Sequence, residues 1–437
     1  MPIIRIASSE QSLPAAVDTV IVGGGIIGVA SAIELAERGQ TVLLCEKGEI
    51  AAEQSSRNWG WVRVMGRDVR EIPLSVLSAA IWAEYAPRYG VDTGYRQTGI
   101  TYLCRTDAQV ESYRAWLSQG GDEVATSRLL GKADVGSLFP TTAVPWAGAL
   151  HTPTDGRAEP FVAVPVLAEL ARRLGAHVVT RTAVRGIELA GGRIAGVVTE
   201  AGPVKCSNVV VAAGVWSRLF LGNIGIDIPQ LNLVNSVARC APMPGPTDGA
   251  VGTPDFGLRR RADGGFTIAE RMNNVAYITP DSFRLLRDYL PTVFRNRREY
   301  SLRLDRSFVT ELMRRRRWGM DEVTPFEAVR ILDPAPHGPS LRRALRRLGE
   351  AFPELAHPRI VETWGGIIDV TPDAVPIIDA HPEIAGLLVA TGFSGHGFGI
   401  GPGAGRLAAE LVTGARPSVE PAPFALARFP RARARRA

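Results

Sequence analysis

Apolar residues crowd into short, unbroken runs near both ends of the chain and into sparser, alternating segments in its middle. Asp18-Thr-Val-Ile-Val22 and Thr41-Val-Leu-Leu-Cys45 are runs of the kind that form buried parallel strands. Between them, Val29 to Arg38 is helical in composition, and Gly39 fits the left-handed position that closes a helix. Together these predict one strand–helix–strand unit. Beyond it the pattern predicts a loop from Ser55 to Asp68, a helix from about Arg70 to Tyr89 and a strand over Arg96–Arg105. A helix over Asp107–Gln119, an irregular stretch from Leu129 to Val144 and an amphipathic helix over Pro160–Leu174 come next. Short strands are expected at Ala176–Thr180, Ala183–Leu189 and Arg193–Thr199, then a buried one from Asn208 to Ala213, ending in Gly214.

From about Gly225 to Arg359 continuous apolar runs are fewer. Phe256–Arg261 and Phe266–Arg271 flank Asp263-Gly-Gly265 and predict a hairpin. Ser282–Arg297 and Ser340–Ala351 predict Arg-rich helices. Ile384–Ala390 returns to the buried-strand pattern, Thr391 to Gly403 is a glycine-rich turn, and Pro402–Thr413 predicts a last helix. The ends therefore resemble parallel-sheet material and the middle antiparallel. The expected fold class is α/β: a discontinuous Rossmann-like nucleotide-binding domain (parallel sheet with helices) with an α+β substrate domain built on a mostly antiparallel sheet. The first takes residues 15–90, 155–225 and 360–420, the second 91–154 and 226–359, and 421–437 forms a basic C-terminal tail.

Composition changes this picture little. A hydrophobic fraction of 46% in 437 residues excludes a disordered or collagen-like chain. The net charge of +6 invites a nucleic-acid partner, but Arg428 to Ala437 alone hold five arginines and no acid. The rest is nearly neutral, and no nucleic-acid partner is expected. The cysteines, Cys45, Cys104, Cys206 and Cys240, form no C-x-x-C pair, and no metal site is expected. Scattered thiols and a Met1–Pro14 start without a signal pattern suit the cytoplasm. No run of 18 apolar residues occurs, so no integral membrane segment is expected; peripheral association stays open.

The chemistry is concentrated in glycines. Gly23, Gly25 and Gly28 form G-x-G-x-x-G between a strand and a helix, the context in which that motif binds a pyrophosphate. Gly23 permits the turn, Gly25 lets backbone approach the phosphates, and Gly28 lets helix and strand pack closely. Glu46 ends the next strand, where an acid accepts hydrogen bonds from a ribose. Ser55, Ser56 and Asn58 offer polar groups just downstream, and Thr391 to Ile400 is dense in N–H groups that suit the pyrimidine edge of a flavin.

These motifs resemble the D-amino-acid oxidase superfamily of FAD-dependent oxidoreductases, over about residues 17–415. The likeness is nearest to bacterial D-amino-acid dehydrogenase-like and opine oxidase subunit-like flavoproteins, which carry a similar S-S-R-N-W-G loop. Its most specific parts are Ser394 to Arg406 and Trp364 to Ile378. The resemblance implies FAD, held without a covalent link because the 55–60 loop has no Cys or His. It assigns the pyrophosphate to Gly23, Gly25, Ile26, Ile27 and Gly28, and the adenosine ribose to Glu46 and Lys47. The phosphates and flavin fall to Ser55, Ser56, Arg57 and Asn58, and the adenine side to Val184, Gly214 and Trp216. The isoalloxazine falls to Gly366, Gly395, His396, Gly397, Phe398, Gly399 and Ile400.

The implied reaction is oxidation of the C–N bond of an amino acid or related secondary amine by hydride transfer to flavin N5, giving an imine that hydrolyses to an oxo acid. A flavin-bearing subunit of a multi-subunit opine or amine oxidase, with little activity alone, is the alternative. Such chemistry needs positioning more than a catalytic triad. Relatives often clamp the substrate carboxylate with an Arg after the W-x-G segment, where this chain has Ile368 and Asp369. Some carry a Lys just after G-H-G-F, where it has Gly399. Arg63 is therefore the first candidate for the carboxylate and Arg271 the second. His396 is expected to act through its backbone and packing. No Lys follows Lys205, which favours a quinone or carrier over dioxygen as electron acceptor.

Overall fold

The computed structural model describes residues 12–272, 274–295 and 300–429. Thr19–Val22 (β1), Ile26–Glu37 (α1) and Val42–Cys45 (β2) form the expected opening unit. α1 begins three residues before the apolar pattern suggested, because the first turn is made by the motif itself. β1 is central in a six-stranded sheet, flanked by β2 and by Asn208–Val211. His177–Val179 forms one edge. Leu387–Thr391 pairs parallel with Asn208–Val211 and carries the antiparallel edge strand Ile377–Ala380. The short strands after residue 183 fold into a separate three-stranded meander that includes Gly202–Lys205.

The second sheet has ten strands, mostly antiparallel. The Phe256–Arg260 and Phe266–Glu270 hairpin lies in it as expected. Its longest members are Leu231–Cys240 (β3) and Ile360–Val370 (β4), paired antiparallel from Leu231 against Val370 to Cys240 against Ile360. Neither stands out by alternation. Asn235 and Ser236 are buried in mid-strand; the Asn235 amide nitrogen donates to Asn274 and to the Glu270 carbonyl, and Ser236 Oγ accepts from the His337 N–H. Residues 360–370, grouped by sequence with the nucleotide-binding segments, thus belong to the larger sheet.

Other expectations are corrected too. The 55–68 loop contains a helical turn, Gln54–Arg57, and a short strand, Trp61–Val62. The stretch 129–144 holds the strand Arg128–Leu130 and the helix Lys132–Leu138. The helix expected over 282–297 is broken into Pro280–Arg284 and Leu286–Arg295; Asn296 and Arg297 lie outside the described residues. The C-terminal stretch does not begin as a solvated tail. Phe424 and Leu426 are buried, and Arg428 bonds Asp373 at 3.1 Å, so it is docked as far as Phe429.

The last helix, Gly397–Thr413 (α2), starts five residues before Pro402. It packs along α1, and two glycines set the spacing. A Cβ at Gly401 would lie 2.6 Å from Ile26, and one at Gly405 2.5 Å from the Ala30 Cβ and 2.7 Å from the Ser31 nitrogen. The obstacles at Gly405 include backbone, which no rotamer change relieves. Gly405→Val should therefore force the helices apart and destabilise the fold by about 1–3 kcal/mol. Urea denaturation checks this; an unchanged midpoint would show that the helices slide freely.

Candidate functional site

A cleft, open at its mouth, crosses the carboxyl ends of β1 and β2. That is where open α/β sheets bind ligands. One end is lined by Glu46, Val184, Trp216 and Phe326, the other by Asn58, Asp369, Phe393, Gly395, Gly397 and Phe398. The glycine motif lies between.

Each motif glycine has a distinct physical reason. Gly23 holds φ +111°, outside the range of L side chains, and its Cβ would lie 2.5 Å from the Ala212 oxygen. A methyl on Gly28 would overlap the Gly23 carbonyl. Gly25 is different: within 4 Å its Cβ would meet only Ser55 Oγ, at 3.1 Å, and would otherwise stand in the cleft. Ser55 Oγ accepts from the Ile26 N–H at 2.9 Å. The N–H groups of Ile27 and Gly28 have no intrahelical acceptor, and the helix end favours an anion. Glu46 accepts from Gly24 and Gly48, both at 2.7 Å, leaving lone pairs for hydroxyl donors. A cradle that a single methyl would fill, an anion-binding helix end and a buried acid at the strand end fit the pyrophosphate and ribose of FAD.

Other assigned residues are placed differently. Lys47 is tied to Glu53 at 2.7 Å and to the carbonyls of Val329 and Arg330, with Nζ 4.7 Å from the Trp216 ring centroid. It lines the cleft with its ammonium already taken by these partners. Ser56 bonds the Ala51 carbonyl, and Arg57 bonds Ala52, Gly365 and Asp333, so both brace the loop from behind. Gly366 packs against Arg57, with 3.2 Å between its would-be Cβ and that of Arg57. The Gly214 carbonyl accepts from Gln230 at 3.0 Å. Gly399 has no room for a side chain, since a Cβ would lie 2.9 Å from the Trp61 oxygen. Its carbonyl is held by Ser78 and Trp82, so any lysine here would displace the helix. Ile400 is buried and His396 half-buried; with Gly399 they stand behind the cleft wall that Gly395, Gly397 and Phe398 provide.

The structure gathers two polar clusters, adding Arg67 and Glu71 to the residues singled out by sequence. Asp369 is buried and accepts from the Gly392 N–H at 2.8 Å and from Gln230 at 2.9 Å. The Gln54 amide, turned with its NH₂ toward it, donates at 2.9 Å. Burial pushes its carboxyl above the usual range against these donors. The other cluster surrounds Tyr102. Arg63 and Arg271 lie 5.7 Å and 3.9 Å from its ring centroid, and buried Arg67 lies beside Gly399. Burial, then repulsion from Arg63, brings the Arg67 guanidinium down to about 9. Glu71, fully buried, meets His396 Nδ1 at 2.9 Å. Burial pushes Glu71 up, but His396, Arg67 and Arg63 outweigh it and hold it below its usual value. Arg63, Arg67 and Arg271 form no ion pair with a carboxylate among the described residues. An i, i+4 spacing, Arg63-x-x-x-Arg67-x-x-x-Glu71, was the only available signal.

A discontinuous parallel sheet bearing this cleft, beside a large antiparallel sheet, defines a dinucleotide-dependent oxidoreductase. The chain belongs to the DAO family of FAD-dependent oxidoreductases, whose model matches residues 18–411, and FAD is its cofactor. Among solved structures it is similar to the L-amino acid deaminase of Proteus myxofaciens, in complex with anthranilate. The identity is 34% and the TM-score 0.94, covering 98% of this chain and 96% of that one. The L-amino acid deaminase of Proteus vulgaris is similar at 33% identity and TM-score 0.92, covering 97% and 100%. Among curated proteins it is 25% identical to the glycine oxidase of Geobacillus kaustophilus over 94% of this chain and 97% of that protein. It is 26% identical to the 4-methylaminobutanoate oxidase of Paenarthrobacter nicotinovorans over 97% of this chain, but spans only 47% of that protein.

Gly25→Val should leave an apo-protein that melts near the wild type yet retains no FAD, because the new side chain fills the phosphate cradle. Gly28→Val should unfold the turn itself and lower the melting temperature. Flavin absorbance with calorimetry separates the two, and equal melting losses would refute the assignment of Gly25 to the cradle.

Asp155 is buried beneath the arginine loop and accepts from the Val64 and Met65 N–H groups. Burial pushes its carboxyl up to about 7 against those donors and Arg63 and Arg67. The folded state therefore keeps a proton that the unfolded chain releases near pH 4. Its contribution is present below that value and is lost as pH rises toward 7. The melting temperature of Asp155→Asn relative to wild type should climb across pH 4–7; a flat difference would contradict the raised carboxyl.

Proposed function

We propose that the protein oxidises the C–N bond of an amino acid, L-amino acids first and related secondary amines as the wider class, giving an imine that water converts to an oxo acid. The observation that carries this is the convergence of Arg63 and Arg271 on Tyr102, on the loop whose Arg67 lies against Gly399 at the start of α2. Guanidinium groups without carboxylate ion pairs call for an anionic ligand, and a substrate carboxylate supplies one. The likeness to two L-amino acid deaminases over nearly the whole chain supports the enantiomer.

FAD, when bound, accepts the two electrons and the hydrogen that leave the substrate. The protein's own task is to orient the carboxylate on Arg63 and Arg271, keep water out with Trp59, Trp61 and Tyr102, and hold the amine toward the cleft. The Trp59–Trp61 and Trp61–Tyr102 centroids are 5.1 and 5.9 Å apart, a continuous aromatic wall. Glu71 and His396 position Arg67 and the start of α2. We infer a non-covalent cofactor: Cys45, the thiol on the cleft, is buried, and burial followed by the Glu46 charge pushes it far above its usual value. We also infer that a quinone or carrier takes the electrons, since residues 206–437 contain no lysine. No helix among the described residues is long and apolar enough to cross a membrane.

Anaerobic mixing with a panel of L-, D- and N-methyl amino acids should bleach the bound flavin with at least one L-amino acid. Arg63→Ala and Arg271→Ala should each cost about 2–5 kcal/mol in kcat/KM while FAD stays bound. The Lys variants should recover only part, lacking the planar two-point contact. Wild-type kcat/KM in both Ala variants, or bleaching only by amines without a carboxylate, would overturn the reading.

A further inference from the structure

Positive charge gathers around Tyr102 and is not answered there. Arg63 and Arg271 lie against its ring, and Arg67 follows Arg63 four positions on in the same loop. Arg67 is only 4% exposed, yet its Nη1 has no acceptor among the described residues. Its Nε reaches the Arg63 carbonyl at 3.5 Å, and its Nη2 lies 3.4 Å from the place a Gly399 Cβ would take. Trp61, whose ring packs on Tyr102, buries an indole N–H that likewise lacks an acceptor. A buried donor left unmet is costly, and a buried charge left unmet is costlier.

The charge balance points the same way. Asp68, next to Arg67, pairs with Arg70 at 2.9 Å, and Asp255, whose carbonyl accepts from the Arg271 N–H, pairs with Arg105 at 2.7 Å. Glu71 stays ionised, while burial lowers the His396 imidazole, which adds no charge at pH 7. Asp155, pushed up to about 7 by burial, cancels only part of a charge. Arg63 and Arg271 also donate to the Met65 and Thr253 carbonyls, which use N–H groups but bring no charge. Three guanidiniums therefore face one full negative charge and a fraction of another. A substrate with one carboxylate and a neutral amine leaves part of that excess uncovered. A second carboxylate covers it and gives the Arg67 Nη1 its acceptor.

Building on the C–N oxidation proposed above, we propose that the substrate is an amino acid with a second carboxylate, which Arg67 receives while Arg63 and Arg271 hold the first. The second carboxylate is carried by the side chain or by the nitrogen; its chemistry at the guanidinium is the same. In either case a hydride leaves Cα for FAD and a proton leaves the nitrogen. Water then splits the imine into an oxo acid and ammonia or an amine.

Anaerobic bleaching of the FAD-loaded protein compares charge at nearly constant shape. L-Glutamate should exceed L-glutamine, or L-aspartate exceed L-asparagine, by about tenfold or more in kcat/KM. For a nitrogen-borne group, iminodiacetate should exceed sarcosine by a like factor. The product names the source: a 2-oxo diacid with ammonia from the first, glyoxylate with glycine from the second. Glutarate, which has no C–N bond to oxidise, should perturb the flavin spectrum at concentrations about tenfold lower than its monoamide needs. Arg67→Gln should bring both preferences to about one with FAD retained, and Arg67→Lys should keep part of them. Wild-type preferences of about one overturn the proposal. So does Arg67→Gln with preferences unmoved, including an equal fall for every substrate, which would assign Arg67 to the cofactor. If Arg67→Gln does not fold, the wild-type preferences and the glutarate titration decide. Oxidation of neutral L-amino acids with no preference for glutarate would overturn the second carboxylate and leave the oxidation standing. Preferential glutarate binding with no amino acid oxidised would overturn the oxidation and leave the two-anion site.

Discussion

The site depends on one buried carboxylate. Asp369 ends the inner part of β4 in the larger sheet, yet its oxygens accept from the Gly392 N–H, which follows the last parallel strand, and from Gln230 and Gln54. Gln230 in turn donates to the Gly214 carbonyl at 3.0 Å, and the Ser394 N–H donates to the Asp369 carbonyl at 2.8 Å. Four segments remote in sequence are thereby fixed to one side chain. A carboxylate in such surroundings is tolerable only when its lone pairs are used, so each donor is held in place by the cost of losing it. The relative position of the two sheets, and hence the width of the cleft, follows from this joint.

Around it the division of labour is physical. The glycines act by what they lack: Gly23, Gly28 and Gly405 let backbones touch, Gly401 makes room for the Ile26 side chain, and Gly25 leaves its space to the cleft. Trp59, Trp61 and Tyr102 pack ring to ring, and Arg63 and Arg271 lie against the last of them. Glu71, held ionised, offsets the repulsion among those arginines. Asp155, which holds its proton to about pH 7, instead fixes the loop that carries Arg63 and Arg67 through the Val64 and Met65 N–H groups.

The parts legible in the sequence are those whose signal is local. The opening strand, turn, helix and strand, with Glu46 after it, announce themselves within about thirty residues, and the Phe256–Arg260 hairpin does so through its turn. β3 and β4 do not, because their mid-strand polar residues are satisfied by partners far away in sequence, and burial on both faces erases alternation. Asp369 read only as the missing arginine of a resemblance, not as a joint. The resemblance assigns Lys47 to the ribose, while its ammonium is taken by Glu53 and two carbonyls nearly three hundred residues on. Arg63 and Arg271 were singled out separately; that they share one tyrosine is a fact of three dimensions.

The packing of α1 against α2 also sets a schedule for synthesis. The face of α1 that Gly401 and Gly405 approach is made with the first tenth of the chain, and its partner comes about 370 positions later. At roughly 5–20 residues per second, that apolar face waits on the order of 20–70 s on the ribosome before α2 emerges to cover it. Asp369 and the Gly392 turn arrive equally late. The cofactor cannot be captured before these residues emerge, however early the glycine motif appears. Flavin loading thus waits for them, and the nascent amino-terminal unit is the form of this protein most in need of a chaperone.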